Sequence, residues 1–263
     1  MQQHYDLQLS EVILFSFLNR FYHQLGSPRE FYKIAKYATP LFGVIAILLF
    51  LPGSYLGLFV APADYQQGDS YRIIFVHVPA AWLSMMIYVI MAVAAAIALI
   101  WRMKMAFAVV VCSAPIGAVF TALALVTGSL WAKPTWGDWW VWDARLTFEL
   151  ILLFLYIGII SVYQAFDQRA IAEKAAALLS IVSVVIVPII HYSVEWWSSL
   201  HQGATVFRDG GTAMPPSMLT PLLLMAGAAT FFYGYILFLN MQAQVLEQNS
   251  TKQWVKDLTQ SWK

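Results

Sequence analysis

Charged side chains are scarce in this chain of 263 residues. Only 11% of the residues are Asp, Glu, Lys or Arg, whereas 60% are hydrophobic, against about 25% and about 45–50% in soluble globular proteins. This balance excludes an ordinary water-soluble domain and indicates that lipid surrounds the protein. The formal net charge is +1, so the chain also lacks the basic excess that attracts nucleic acid.

Thiols are almost as rare, because Cys112 is the single cysteine of the sequence. One cysteine forms no internal disulfide, no CxxC metal site and no CxxCH site for covalent haem attachment. Any ligand of this chain is therefore bound without thiols.

Long uncharged runs are abundant instead. An α-helix needs about 20 apolar residues to cross the hydrocarbon core, and continuous apolar runs differ from the alternating pattern of an outer-membrane barrel. We therefore predict an all-α integral membrane protein with six transmembrane helices. The predicted spans are residues 37–63, 73–100, 105–132, 146–166, 175–194 and 219–239.

The basic residues between these spans set the orientation. Eleven Lys and Arg lie in the two terminal segments and in the loops on their side, and four, namely Arg72, Lys133, Arg145 and Arg208, lie in the alternate loops. By the positive-inside rule both termini are predicted to be cytoplasmic. The prediction thus comprises a cytoplasmic segment 1–36, a membrane domain 37–240 and a cytoplasmic tail 241–263, with outer loops 64–72, 133–145 and 195–218.

The second outer loop has the most unusual local composition, WGDWWVWD over residues 136–143, within a tryptophan-rich stretch 131–145. Tryptophan is enriched at membrane interfaces, so one or two of these residues would be an ordinary aromatic belt. Four tryptophans in seven residues exceed what anchoring requires. We predict a flat aromatic platform for a large planar ligand, formed by Trp136, Gly137, Trp139, Trp140, Trp142 and Asp143.

Two histidines are predicted to lie at the depth of this platform. His77 is four residues into the second span, about 6 Å below its outer end at 1.5 Å per residue, and His191 approaches the same boundary at the end of the fifth span. Either could be a hydrogen-bonded interfacial histidine, but together they suit axial ligation of a haem iron. His201 is a weaker candidate for transient contact with a ligand, and His4 and His23 lie on the opposite side.

Two arginines add positive charge at the same level. Arg72 and Arg145 suit the two propionates of haem, because guanidinium binds carboxylate in a bidentate fork. Alternatively, Arg145 pairs with Glu149 four residues on, or extends to the interface. Asp143 also fits the N-cap of the fourth span.

The sequence WGDWWVWD resembles the WGxxWxWD signature of the tryptophan-rich (WWD) haem-handling membrane proteins of cytochrome c biogenesis. With APADYQQGDSYRI (61–73), HVPAAW (77–82), AKPTWGDWWVWDARLT (132–147) and PIIHYSVEWW (188–197), it is most similar to the haem exporter protein C (CcmC) family of the system I cytochrome c maturation pathway. The resemblance covers residues 30–240. Larger relatives with the same signature have more spans and more outer histidines.

This resemblance implies a multi-pass protein of the bacterial inner membrane whose site faces the periplasm. It implies that His77 and His191 are axial ligands of non-covalent haem b, that residues 136–143 contact the porphyrin, and that Arg72 and Arg145 lie at the haem. It implies that haem is presented to a periplasmic chaperone, protein E (CcmE), for covalent attachment, with single-span protein D (CcmD) and the ABC transporter pair, proteins A and B (CcmA and CcmB), as further partners. No P-loop is present, so ATP hydrolysis belongs to a partner, and whether this chain assists the covalent step as a ligase stays open.

Two other classes remain as alternatives. A membrane b-type cytochrome for electron transfer would place histidines at mid-span depth, often in two stacked pairs. A transporter subunit with only an aromatic belt would bind no haem and would show no Soret band.

Overall fold

The computed structural model of the protein describes residues 26–197, 199–201, 203, 205–206 and 210–260. The predicted segment 1–36 is thus described only from Gly26, and His4, His23 and Arg208 lie outside the described residues. The α-helices, numbered α1 to α8 in chain order, are Pro28–Tyr55, Ile74–Trp101, Lys104–Trp136, Ala144–Gln164, Arg169–Ser183, Ile186–Trp196, Pro216–Gln248 and Gln253–Gln260.

Six helical segments are long and apolar enough to cross a membrane, which confirms the predicted all-α fold with six spans. They are Pro28–Val60, Asp69–Trp101, Lys104–Trp136, Ala144–Gln164, Arg169–Trp196 and Pro216–Gln248. In the first, α1 continues as the π-helix Leu56–Val60, and in the second the 3-10 helix Asp69–Ile73 leads into α2. An even number of crossings puts the start of α1 and the end of α7 on the same side of the membrane.

The third span is longer than its uncharged run predicts. Helix α3 continues past residue 132 to Trp136 and ends where Gly137 adopts a left-handed conformation with φ 89°, which glycine adopts without a steric penalty. The Nζ of Lys133 donates to the carbonyl of Gly137 over 2.7 Å. The first part of the predicted loop 131–145 is therefore helical.

The fifth span consists of two helices, α5 and α6, which meet at Val184 and Val185. Pro188 lies in the first turn of α6. A proline cannot donate to the carbonyl four residues earlier, and its ring collides with that carbonyl. Because that carbonyl belongs to Val184, the proline explains why the helix breaks there.

Helix α2 is the centre of the bundle and packs on α3, α5 and α7, while α1 packs mainly on α7. Close approach depends on small residues, as is usual between membrane helices. A Cβ at Gly117 of α3 would lie 2.2 Å from the ring of Tyr156, so only glycine leaves room for this α4 side chain. The hydroxyl of Tyr156 donates to the Ser84 carbonyl of α2 over 2.7 Å and joins α4 to α2.

The remaining face of α1 exposes large apolar side chains, among them Ile47, Leu48 and Leu51, as suits contact with lipid. The connections from α1 to α2, from α3 to α4 and from α6 to α7 lie at one end of the bundle, which we call the upper end. The tryptophan-rich segment and the candidate histidines of the sequence lie at this end.

Candidate functional site at the upper end of the bundle

His77 lies in the first turn of α2, with its ring against α3. Its Nδ1 is 3.0 Å from the carbonyl oxygen of Ala124 and 3.1 Å from the hydroxyl oxygen of Thr127. The Thr127 hydroxyl donates to the Leu123 carbonyl over 2.6 Å, so both oxygens near Nδ1 act as acceptors. Nδ1 therefore carries the ring proton, and Nε2 keeps a free lone pair, since the hydrogen bond of one nitrogen fixes the role of the other.

The pocket around His77 is shaped by two further residues of α3. The indole of Trp131 meets the imidazole edge to face, with ring centroids 5.7 Å apart. A Cβ at Gly128 would lie 3.0 Å from Cε1 of His77, so glycine lets the imidazole lie flat against the helix. The ring is thus fixed with Nε2 available for a ligand.

The tryptophan-rich segment bridges two helix ends. Gly137 ends α3, and Asp143 is the N-cap of α4, where its carboxylate accepts from the Arg145 N–H over 2.9 Å. This confirms the predicted N-cap. Trp139 and Trp142 are 56% and 77% exposed, which leaves most of their ring surface available to a ligand.

Two of the tryptophan rings in this segment are not coplanar. The rings of Trp140 and Trp142 are 5.6 Å apart but meet at 80°, because edge-to-face contact suits the aromatic quadrupole better than a sandwich. The indole Nε1 of Trp140 is buried and has no hydrogen-bond partner among the described residues. A buried N–H without an acceptor is costly, so this donor points to an acceptor that a ligand supplies.

Asp143 also collects donors from the segment that follows α6. Its Oδ2 accepts from the Leu200 N–H over 3.1 Å, and its Oδ1 lies 3.1 Å from Nδ1 of His201. The ring of His201 contacts Trp136 edge to face, with centroids 5.0 Å apart. One carboxylate thus connects the tryptophan-rich segment to the chain that leads into α7.

The charge states of this pair follow from their surroundings. Burial opposes ionisation of Asp143, but hydrogen bonds from Ser199 and from backbone N–H groups, together with His201, lower its pKa. Burial lowers the pKa of His201 more than Asp143 raises it, and the charge of Arg145 lowers it further. At neutral pH the pair is therefore a carboxylate beside a neutral imidazole.

The two predicted arginines differ in their contacts. The half-buried Arg145 interacts electrostatically with Glu149 and Asp143. Among the described residues, however, its guanidinium has no hydrogen bond and no ion pair within 4.0 Å. The predicted alternative of an Arg145–Glu149 pair is not formed, because buried Glu149 accepts instead from the Ser84 hydroxyl over 2.7 Å. A guanidinium in this state is ready for an anionic ligand.

Arg72 already has partners within the protein. Its Nε donates to Asp69 over 2.9 Å and its Nη1 donates to the Gly57 carbonyl over 2.8 Å, while its guanidinium lies 5.6 Å from the ring centre of Tyr71. These contacts attach the start of the second span to the end of the first. Arg72 thus has a structural role in the fold, whatever it contributes to a ligand.

His191 is exposed on α6, between buried Ile190 and buried Ser193. Its ring meets that of Tyr192 at 90° with centroids 4.8 Å apart, and it makes no hydrogen bond to the described residues. The structure shows no direct contact between His191 and His77. Both imidazoles nevertheless lie near the upper end, and both have a ring nitrogen open to a ligand.

These open groups fit a planar ligand that carries a metal and carboxylates. The free Nε2 of His77 suits the metal, the Arg145 guanidinium suits a carboxylate, and the Trp140 donor and the exposed indoles suit the edge and faces of a macrocycle. No cluster of three or more His, Cys, Asp or Glu side chains occurs within the described part of the chain.

Comparison with known proteins gives one consistent family. The family model described as "Heme exporter protein C" matches residues 21–256. The chain is 47% identical to "Heme exporter protein C" of Haemophilus influenzae over 241 residues, which is 92% of this chain and 98% of that protein. It is 49% identical to "Heme exporter protein C" of Escherichia coli strain K12 over 236 residues, 90% of this chain and 95% of that protein.

The similarity extends to plants. A "Putative cytochrome c biosynthesis ccmC-like mitochondrial protein" of Marchantia polymorpha is 40% identical over 211 residues, which is 80% of this chain and 89% of that protein. Six membrane-spanning helices and matches along nearly the whole sequence agree with one another. The chain therefore belongs to the heme exporter protein C family.

Proposed function

We propose that this protein holds non-covalent haem b as cargo at the upper end of its bundle and presents it to a periplasmic haem chaperone during cytochrome c maturation. The observation that carries the proposal is the state of His77. Its Nδ1 is fixed by the Ala124 carbonyl at 3.0 Å, so its Nε2 lone pair is directed by the fold rather than by the ligand. Haem, when bound, supplies the iron that two imidazoles coordinate and the vinyl groups that the chaperone attacks.

His77 and His191 are the proposed axial ligands. Neutral imidazole coordinates haem iron through a ring nitrogen, and neither histidine needs to lose an interaction with the described residues to free one. His77 lies on α2 and is held by α3, whereas His191 lies on α6, so the two ligands come from different helices. A small shift between these helices would weaken one bond at a time, which suits a protein that must release its cargo.

The tryptophan-rich segment is proposed to set the orientation of the macrocycle. Trp139 and Trp142 are the exposed members, and the buried Nε1 of Trp140 offers a hydrogen bond. Arg145 is proposed to bind a propionate, because its guanidinium lacks a partner among the described residues. Arg72 is proposed to contribute charge near the site while it remains tied to Asp69 and Gly57. Orientation of this kind accelerates a reaction without acid or base chemistry.

The placement of the site in the periplasm is also a proposal. It is supported by the asymmetry of eleven basic residues against four in the sequence, which by the positive-inside rule puts the termini in the cytoplasm of an inner-membrane protein. Protein D and the transporter pair, proteins A and B, are the further partners that we propose on the basis of the family. The chain offers them a lipid-exposed α1.

Haem delivery to the chaperone tests this function. The chain and the chaperone are co-expressed and purified from the same cells, and haem per polypeptide is measured on each. We expect His77→Ala to reduce haem on both proteins, and His4→Ala and His23→Ala to leave both unchanged. Chaperone that is fully loaded in cells producing only the His77→Ala, His191→Ala double variant would refute the proposal.

A further inference from the structure

The loop between the first two spans reaches the site through one side chain, that of Gln67. Its amide oxygen Oε1 accepts a hydrogen bond from the indole Nε1 of Trp131 over 2.7 Å. Trp131 lies on α3, so this bond joins two parts of the chain that are 64 positions apart. The proposed function gives Gln67 no role.

Gln67 is itself held firmly within a tight turn. Its backbone N–H donates to Oδ1 of Asp64 over 2.8 Å, and its carbonyl accepts from the Ser70 hydroxyl over 2.7 Å. Asp64 and Gly68 close the turn with two backbone hydrogen bonds of 3.1 and 2.9 Å. Gly68 has φ 58°, a conformation that glycine adopts without a steric penalty. The turn therefore presents the Gln67 amide oxygen at a fixed place.

Trp131 carries this constraint to His77. Ala124, Gly128 and Trp131 recur on α3 at helical spacing, so they lie on one face of that helix. This face surrounds the imidazole, because the Ala124 carbonyl lies 3.0 Å from Nδ1, a Cβ at Gly128 would lie 3.0 Å from Cε1, and the Trp131 ring contacts it edge to face at 5.7 Å. An indole turns about two side-chain bonds, and the hydrogen bond to Gln67 fixes which way it faces.

We propose that Gln67 is a positioning residue for the iron ligand His77. Its amide oxygen fixes the indole of Trp131, and the indole in turn fixes the plane of the imidazole whose Nε2 coordinates the haem cargo. This inference rests on the proposed function and adds the loop between the first two spans to the site. Residues that orient a metal ligand from behind contribute to metal affinity without touching the metal.

The variants for the test separate the hydrogen bond from the turn. Gln67→Leu removes the acceptor but keeps a side chain of similar size. Trp131→Phe removes the N–H donor but keeps an aromatic ring against His77. Gln66→Leu is the matched control, because Gln66 is an exposed neighbour in the same turn and its backbone N–H also donates to Asp64.

The test uses full-length protein in detergent micelles loaded with hemin. Electron paramagnetic resonance gives the g values of the low-spin ferric haem, which depend on the orientation of the axial imidazole. Transfer to excess apo-globin gives the rate of haem dissociation. We expect Gln67→Leu to shift the g values and to speed dissociation about fivefold, the size expected from the loss of one neutral hydrogen bond. Gln66→Leu should match wild type.

The outcome for a purely structural role of Gln67 is different. Gln67→Leu would then lower the unfolding temperature and leave the g values and the dissociation rate unchanged, which would overturn the inference. An equal shift of the g values in Gln66→Leu would overturn it as well, because the effect would belong to the turn. A wild-type protein whose bound haem lacks a bis-histidine spectrum would instead refute the proposed function.

A double-variant cycle tests whether Gln67 acts through Trp131. Trp131→Phe alone should shift the g values, and this result does not depend on the folding of any Gln67 variant. Adding Gln67→Leu to Trp131→Phe should then change neither the g values nor the dissociation rate further. Wild-type g values in Trp131→Phe, or a full additional effect of Gln67→Leu in that background, would overturn the inference.

Discussion

Replacing Gly128 with alanine should weaken haem binding without unfolding the protein. The new Cβ would lie 3.0 Å from Cε1 and 3.5 Å from Nδ1 of His77, so the imidazole must move by a few tenths of an ångström. The same helix also holds the ring through the Ala124 carbonyl at 3.0 Å and the Thr127 hydroxyl at 3.1 Å. Movement therefore strains the hydrogen bond that orients Nε2.

The magnitude follows from these contacts. Loss of good ligand geometry at one of two axial positions should raise the haem dissociation constant about tenfold, which corresponds to about 1.4 kcal/mol. The weakened hydrogen bond should lower the free energy of unfolding by about 1 kcal/mol, and alanine in place of glycine within a helix should raise it by about 1 kcal/mol. The free energy of unfolding should therefore change by less than about 1 kcal/mol, because these two effects oppose each other.

The assay compares haem titration, followed at the Soret band, with thermal unfolding of the same detergent-solubilised protein. Gly158→Ala is the matched control, because its new Cβ would meet only the Leu179 side chain at 3.9 Å, an ordinary contact. The reasoning is refuted if Gly128→Ala binds haem as tightly as wild type. It is refuted equally if Gly158→Ala loses as much affinity, since haem binding would then not depend on the position of His77.

Three further predictions follow from other parts of the structure. Because Trp139 and Trp142 are exposed, Trp139→Ala or Trp142→Ala should reduce covalent haem loading of the co-expressed chaperone more than haem on this protein; equal losses would show that the tryptophans only retain haem. A reporter active in the periplasm should be active when fused within residues 64–72, 133–145 or 195–218 and inactive within 167–174, and the reverse pattern would contradict the orientation. Burial keeps the pKa of His201 below the unfolded value of about 6.5, so the unfolded chain binds more protons than the folded one. The free energy of unfolding of the haem-free protein should therefore fall as pH falls below about 6.5. Denaturation curves with the same pH dependence in His201→Gln would contradict this.

The number of membrane spans and their helical form could be predicted from the sequence because uncharged runs longer than about 20 residues have one stable form in lipid. The ends of the helices could not, because a helix continues outside the hydrocarbon wherever the local residues permit it. Helix α3 runs past Lys133 until Gly137 ends it, and the fifth span breaks before Pro188. These ends depend on single residues, which an average over a hydrophobic window does not detect.

The candidate site was also only partly predictable from the sequence. The types of residue were recognisable from the sequence, and the N-cap role of Asp143 could be predicted from its place before an apolar run. The link between Asp143 and His201 joins residues 58 positions apart, and the acceptor for His77 is a backbone carbonyl of α3, so neither has a sequence signal. For Arg72 the sequence suggested a ligand contact and did not predict its structural role. Its guanidinium donates hydrogen bonds to Asp69 and to the Gly57 carbonyl, and the second of these joins the second span to the first.

The absorption spectrum of purified, haem-loaded protein tests the central claim most directly. The account predicts a six-coordinate bis-histidine spectrum for wild type, a shifted spectrum with weaker haem retention for His77→Ala and for His191→Ala, and partial recovery when imidazole is added to His191→Ala. The His77→Ala, His191→Ala double variant should lose the bis-histidine spectrum altogether. A wild-type bis-histidine spectrum in that double variant would contradict the account.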